Sequence, residues 1–580
     1  MLKNYILLMN LTPVQSYIQQ ARKTSDLFAG SLYLTELMNF LLNQLKKELP
    51  TSKILIPDVT IKSKPNMIML EVETDEVTLH GTLTKIEENL QLNISDEIYI
   101  VNNRNTQSTL QTKEIFNLYW VYENREKEDL KHQDIVRMHQ KLLSVKKLRK
   151  FCNTSEAGRK CNLCGERNQI IYHKNNTNHE AKTFLNPGEG LCSVCYHKRK
   201  KGLKVGSGFP SVAEISAATA INAIKDSELN VYRVLEYDCQ LLHEENLTSG
   251  YLSRYLNIDP QNINLELNNM NQELRTIKKF LGDKYNINSY YALLMLDGDN
   301  MGKWMSGEYI KEDENLEKYL HELSSSMGKF SEKLYEIVQN EKGRVVYAGG
   351  DDLLAFINLD YLFPVLEDIR KAFKNIVSDN IQEYLKTSKE ITLSGGVVVA
   401  HYKHPLSDVI THIHQAEKAA KTYRQAKNCL NMTVLKHSGE ITTTNLPWNI
   451  NTDETMMILE KIRIAQKENF SYNYLNIIDR EFAFLNHLEE IDINLLKPEL
   501  DRTIKRSYLG NPKDKSNKCL CFAKELIKLL EYYVTETLEQ QSMEKLRFSN
   551  FISIINILKF ICRNSNNLEE RSDVNQNQSC

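Results

Sequence analysis

Gly349-Gly350-Asp351-Asp352 stands between two short apolar runs, Val345 to Ala348 and Leu353 to Phe356. The pattern predicts a β-hairpin whose tight turn carries carboxylates at its tip. Upstream, Leu293-Leu294-Met295-Leu296-Asp297-Gly298-Asp299 reads as an apolar strand ending in acids. Carboxylates from two strands meeting at one point suit divalent cations such as Mg²⁺ or Mn²⁺, which prefer hard oxygen ligands. Two such ions assist attack of a hydroxyl on a phosphate and neutralise a pyrophosphate leaving group. Asp297 is the expected bridging ligand, with Asp299 second. Asp351 is expected to contact metal ahead of Asp352, because successive strand residues point to opposite faces; a twisted tip admits both. Gly349 and Gly350 form the turn and leave room for phosphates beside the backbone. The bland alternative is a solvated turn with ordinary acids, and the second acidic strand argues against it.

A second cluster is Cys161-x-x-Cys164 and Cys192-x-x-Cys195, separated by residues 165–191. Four thiolates at this spacing suit a closed tetrahedral Zn²⁺, structural rather than catalytic. The long spacer predicts a ribbon with an inserted polar loop around Lys174–Asn178, and His197 is a spare ligand. The other cysteines, of eleven in all, are scattered. Basic residues flank this unit: Lys198-Arg199-Lys200-Lys201, with Lys146, Lys147, Arg149 and Lys150. They read either as a solvated face or as an RNA contact. Arg22 and Lys23 are placed on an N-terminal helix.

Around these clusters, 580 residues allow about four domains at roughly 150 residues each. A net charge of −2 forces no global attraction to nucleic acid, and leaves contact by local basic clusters open. No apolar run reaches membrane-span length and the apolar N-terminus is too short for a signal segment, so a cytoplasmic protein without membrane contact is expected. The fold class is α+β. Residues 4–10 read as a strand, and Pro13 opens a helix running past Phe40. Strands at 54–56 and 67–72, a helix at 75–92 and a charged helical stretch at 122–148 follow. From 290 the same logic returns: strand 291–297, helix 314–340, the hairpin, helix 361–385, strand 391–400 and helix 406–427. The pattern is helical from 453. The expected units are 1–150, a degenerate α+β copy lacking the acids, its opening strand ending at Asn10; 151–285, zinc-binding and helical; 286–440, the active copy; 441–562, a helical bundle; and 563–580, a disordered tail.

Leu296–Lys303 and Ala348–Asp352 resemble the palm domain of the large signalling subunit of type III CRISPR effector complexes. Thr12–Ile18 with Ala21–Thr24 and Leu27–Ser31, Phe209–Ile215, and Ser394–Val398 with His401, Lys403, Pro405 and Leu406 are similar to further motifs of the Cmr-type (III-B) subunit. The resemblance implies two ferredoxin-like palms around ATP. Asp297, Asp351 and Asp352 would be catalytic and hold Mg²⁺ or Mn²⁺. Gly349, Gly350, Asp299, Lys303, Lys421 and Lys427 would serve the nucleotide. Lys421 and Lys427 equally suit a helix end, where cations oppose the macrodipole. Other Cmr-type subunits, guide RNA and target RNA are the implied partners, and target RNA the activator. Cyclic oligoadenylate is the implied product; AMP joined to S-adenosylmethionine is the alternative, with Asn66 and Glu71 as places to look for that co-substrate. A diguanylate-cyclase-like enzyme using GTP and a catalytically dead scaffold are more distant readings. The palm motif begins at Leu11, leaving no room for the HD nuclease domain of many relatives, so HD-type DNA cleavage is not implied.

Overall fold

The computed structural model describes residues 2–566, except 63, 100–110, 113–114, 126–129, 149–156, 174–183, 206–208, 228, 230–232, 257, 260, 283, 387–388, 483–491 and 536–546. The expected polar loop at Lys174–Asn178, Arg149, Lys150 and most of the expected tail lie outside the described residues.

The N-terminal unit is a sheet of β1 (Lys3–Thr12), β2 (Lys53–Ile56), β3 (Met67–Thr74) and β4 (Asn117–Arg125). Its order is β2-β3-β1-β4 with antiparallel neighbours throughout. Helix Thr24–Glu48 joins β1 to β2, and helix Glu76–Tyr99 leads from β3 towards β4. This is a split βαββαβ arrangement. β5 (Ile171–Tyr172) and β6 (Gly190–Leu191) form a small ribbon at the cysteine unit. The second sheet contains β7 (Tyr290–Gly298), β8 (Gly343–Gly349), β9 (Asp352–Asn358), β10 (Leu393–His401), β11 (Cys429–Leu435) and β12 (Ile441–Pro447). Its order, β12-β11-β10-β7-β9-β8, contains the first sheet's order again, with β8-β9-β7-β10 in place of β2-β3-β1-β4.

Three expectations are corrected. Pro13 does not open one long helix. A short helix, Gln15–Gln19, stops, and a new one starts at Thr24, because the Asp26 carboxylate accepts from the backbone N–H groups of Arg22 (3.2 Å) and Lys23 (3.1 Å) and caps it. Arg22 and Lys23 therefore lie in the break rather than on a helix. The charged stretch 122–148 starts as the end of β4, and its helix is His132–Lys147; Glu123, Asn124 and Arg125 hid a strand whose Leu118, Tyr119 and Val121 are buried. Helix Leu406–Tyr423 does not end the second α+β unit: β11 adds parallel to β10, and β12 pairs with β11. The β-branched run Ile441–Thr444 fits this role.

The second sheet is buried on both faces. Ala292, Leu294 and Leu296 of β7 join a core that includes Phe330, Phe373 and the C-terminal helices. Tyr291, Leu293 and Met295 join the core shared with helix Leu406–Tyr423 and the first palm-like unit. Residues 217–287 form a separate helical core. A buried polar hub links distant segments: Asp360 accepts from Thr219 Oγ1 (2.5 Å), Asn288 Nδ2 (3.1 Å) and the Asn566 backbone N–H (2.5 Å).

The basic run at 198–201 is also corrected. Lys198 and Arg199 are 1% and 0% exposed. Arg199 donates to both Asp26 oxygens, at 2.6 and 3.0 Å, and to Glu189 (3.1 Å). Lys198 donates to the backbone carbonyls of Tyr17 and Gln20. Lys201 pairs with Glu97 (3.0 Å) and Glu36. These three cations clamp the cysteine unit to the first palm-like unit instead of facing RNA. Asp26→Ala strips a buried guanidinium of its main partner and is expected to cost about 3–5 kcal/mol. Chemical denaturation followed by circular dichroism should show the first unfolding transition moving to lower denaturant.

Candidate metal and nucleotide site

Strand parity explains how the acids meet. Asp297 continues the face of Tyr291, Leu293 and Met295; Asp352 continues that of Leu354 and Phe356, on the same side of the sheet. β7 pairs with β9 through Leu296 and Leu353, so Asp297 and Asp352 leave adjacent strands at neighbouring positions. Asp351 lies in the turn, free of strand alternation, and joins them. A Cβ on Gly298 would stand 2.9 Å from the Asp351 Cβ, so glycine there allows the approach. One carboxylate oxygen from each of Asp297, Asp351 and Asp352 lies within 4.8 Å of the others. Asp351 and Asp352 thus both belong to the cluster, as a twisted tip allows.

The turn is fixed from behind by Ser331, on helix Leu316–Ile337. Its hydroxyl accepts from the Gly350 N–H at 3.1 Å and reaches the Met327 carbonyl at 3.0 Å. Gly350 has φ +77°, whereas Gly349 has an ordinary φ and open space at its Cβ position. Gly350→Ala is therefore expected to cost about 1 kcal/mol or more, while Gly349→Ala leaves stability unchanged; thermal melts of the two variants read this difference.

Electrostatics set the acids apart from surface carboxylates. Burial, then the neighbouring Asp352, pushes Asp351 up to about 7. Burial, then Glu417, pushes Asp352 up to about 6, against a hydrogen bond from Gln15. Lys421 lies against Asp297 and Glu417 (2.8 Å to Glu417), and burial followed by Lys427 holds it down to about 8. Glu417 and Lys421 stand one turn apart on helix Leu406–Tyr423. The sequence reading missed Glu417 and Gln15. Glu417 was open to the i,i+4 pattern with Lys421; Gln15 lies within the Thr12–Ile18 motif, but nothing in that motif singles out its side chain.

The other predicted residues make their hydrogen bonds and ion pairs with groups other than the three carboxylates. Asp299 is 2% exposed and accepts at Oδ2 from Thr392 (2.8 Å), Ser394 (2.9 Å) and the Asn428 N–H (3.0 Å). It ties β7, β10 and the start of β11 together, and burial raises its carboxyl. Lys427 donates to Asn300 Oδ1 (2.8 Å) and Lys303 pairs with Glu308 (3.0 Å).

A cavity of about 1000 Å³ opens beside Gly349 and Asp352. One wall comes from β8, the turn and helix Leu316–Ile337; the other from Leu11, Gln15, helix Thr24–Glu48 and Lys62, Lys64 and Asn66. Strand register equates the two copies. Asn10 faces Met67 as Leu296 faces Leu353, so Leu11, rather than Asn10, stands where Asp297 stands. Pro65 and Asn66 fall opposite Asp351 and Asp352, so the first copy offers no carboxylate at these three positions. Asn66 lines the cavity. Glu71 does not: it pairs with Arg125, which also reaches Glu317 at 3.2 Å.

The thiols of Cys161, Cys164, Cys192 and Cys195 also lie within 4.8 Å of one another, with Cys164 and Cys192 sulfurs 3.9 Å apart. A Zn²⁺ with about 2.3 Å bonds sets tetrahedral S···S edges near ~3.8 Å, so the four fit zinc. His197 instead faces Glu97 (3.5 Å) and the Tyr33 ring.

Comparison with known proteins gives matches in both palm-like units. Residues 290–431 match the family "Cas10/Cmr2, second palm domain", and residues 6–130 match "CRISPR-associated protein Cmr2, N-terminal". The Cmr2 subunit of the Cmr system of Pyrococcus furiosus is 26% identical over 373 residues, covering 56% of this chain and 41% of that protein. The Saccharolobus solfataricus Cmr2 subunit is 31% identical over 88 residues, 13% of this chain and 8% of that one. The chain thus spans about two-fifths of the length of its Pyrococcus relative. Among solved structures, a type III-B Cmr-beta complex in the apo state superposes with TM-score 0.62 at 14% identity, covering 96% of this chain and 82% of that one. The same complex bound to cognate target RNA also gives TM-score 0.62 at 14% identity, covering 97% and 83%. At that identity the likeness is one of fold. Together with the family matches, it supports resemblance to the Cmr2 large subunit of type III-B systems. No helix among the described residues is long and apolar enough to cross a membrane.

Proposed function

We propose, from the Cmr2-like character of both palms, that the chain is a metal-dependent nucleotidyltransferase subunit of a type III-B RNA-guided complex. It converts ATP into an adenylate messenger, most simply a cyclic oligoadenylate. The observation that carries this reading is the convergence of Asp297, Asp351 and Asp352 at the edge of a cavity shared by two palms. These carboxylates would hold Mg²⁺ or Mn²⁺, which when bound lowers the cost of deprotonating a hydroxyl and neutralises departing pyrophosphate.

The chain's own residues do the rest. The Gly349-Gly350 turn lets the α-phosphate approach the backbone. Lys421 carries positive charge at the triad and can shift from Asp297 to phosphate oxygens. Lys427 stands behind it. The opposite wall, with Gln15 and Asn66, receives the molecule whose hydroxyl or carboxylate oxygen attacks. An attacking 3′-hydroxyl forms a 3′–5′ phosphodiester to the α-phosphorus, gives an oligoadenylate and releases pyrophosphate; S-adenosylmethionine in its place gives an AMP conjugate. Asp299, held by Thr392, Ser394 and Asn428, and Lys303, paired with Glu308, act in positioning. The expected setting is cytoplasmic, with other Cmr subunits, guide RNA and target RNA as partners.

The test is mass spectrometry of products from the assembled complex given ATP or GTP, Mg²⁺ or Mn²⁺, with and without target RNA and S-adenosylmethionine. An adenylylated product that needs target RNA supports the reading. Guanylate products alone, or none under any condition, overturn it.

A further inference from the structure

The zinc unit and the cavity beside the triad are linked through the short helix Gln15–Gln19. Cys192 and Cys195 frame the start of helix Ser193–Val205, and Lys198 lies one turn beyond Cys195. Its ammonium is 1% exposed, yet among the described residues no carboxylate pairs with it. It is spent instead on two backbone carbonyls, Tyr17 and Gln20 (2.8 Å to the latter), and on the face of the Tyr17 ring, 4.5 Å from the centroid. Those carbonyls belong to the end of helix Gln15–Gln19, where the last carbonyls have no partner within the helix. A cation there both satisfies them and opposes the dipole. The same helix begins with Gln15, which lines the cavity together with Asp352 of the triad.

A buried ammonium without a carboxylate is expensive unless other negative charge lies near. Along its own helix Lys198 lies one turn from Cys195, with Cys192 immediately before the helix start. Four thiolates around one divalent ion leave a net negative cluster, so the loaded zinc site supplies the missing counter-charge. Asp26 is already engaged by both nitrogens of Arg199.

We propose that Lys198 is a positioning residue: neutralised by the zinc–thiolate cluster, it caps helix Gln15–Gln19 and so holds in place Gln15 and the cavity wall it shares with Asp352. The consequence for catalysis rests on the nucleotidyltransferase reading; the contact itself does not. Zinc then governs the wall that receives the second substrate, beyond keeping its own ribbon folded.

Hydrogen exchange of the full chain, read by mass spectrometry, tests this without turnover. In Lys198→Met, amides of residues 15–20 should exchange at least tenfold faster than in the unaltered protein, while those of β7 stay unchanged. Lys198→Arg, which keeps a donor cation, should retain most of the protection. Zinc removal from the unaltered chain with a chelator should reproduce the Lys198→Met pattern in 15–20. In the product assay, Lys198→Met should raise KM for the second substrate several-fold with a smaller effect on kcat. Unchanged exchange at 15–20 overturns the proposal. So does loss of protection throughout the first palm, which would make Lys198 a general fold determinant. If exchange behaves as expected and no product forms under any condition, the functional reading fails and the contact stands.

Discussion

Replacing Asp351 and Asp352 together by alanine lowers product formation by at least about 10³-fold, equivalent to about 4 kcal/mol of transition-state stabilisation, and leaves the metal-free protein more stable than the parent. The two effects share one cause. The carboxylates converge within 4.8 Å and are partly withdrawn from water; burial and mutual repulsion raise Asp351 and Asp352. Without metal, this crowding opposes folding. With metal, the same crowding provides a preformed set of hard ligands. Asp351→Asn alone should raise the metal-free melting temperature by about 2–4 °C, the size of shift that about 1 kcal/mol gives in a larger protein. A drop in melting temperature with activity intact would show that the acids serve the fold alone. Thermal melts with and without Mn²⁺, beside the product assay, read both quantities.

The pH dependence follows with a definite sign. Asp351 and Asp352 are raised to about 7 and about 6, while an unfolded aspartate titrates near ~3.9. Between those limits the folded state holds protons that the unfolded state has released. Stability of the metal-free protein should therefore fall as pH rises from about 4 to 7. Metal reverses the trend, because ligands must be deprotonated to bind it: the stabilisation conferred by Mn²⁺ should grow with pH across the same window. Product formation should rise from pH 5.5 to 7.5, and the acid limb should move to lower pH as Mn²⁺ is increased. A limb that ignores metal concentration would place its controlling group outside the triad. Melting curves at fixed ionic strength and rates at several Mn²⁺ concentrations are sufficient.

The acid site was legible because its signal is local. Asp297 and the Gly-Gly-Asp-Asp turn each lie at the end of an apolar strand, and strand parity does the rest. The four thiols were legible for the same reason. Residues that act across the chain were not. Gln15 sits in an unremarkable helix, and only the packing of one palm against the other brings it to Asp352. Lys198 and Arg199 looked like a surface charge run because the sequence around them is basic; their burial depends on Asp26, the backbone of residues 17–20 and the cysteine unit, all distant in sequence. Asp299 shows the converse: two residues from Asp297, it is held by Thr392, Ser394 and Asn428, which lie far along the chain. β4 and β12 escaped because charged or threonine-rich strand sequence carries little alternation.

The repetition of one strand order in both palms has a consequence for symmetry. Two identical chains meeting at such a cavity would form an isologous pair, and every substitution would appear on both walls. Here both walls belong to one polypeptide, so they diverge independently: Leu11, Pro65 and Asn66 on one side, Asp297, Asp351 and Asp352 on the other. A reaction centred on the triad then has a fixed polarity. The nucleotide that is cleaved and the molecule that attacks cannot exchange places, and the wall that selects the attacker is free to change its choice without disturbing the wall that performs the cleavage.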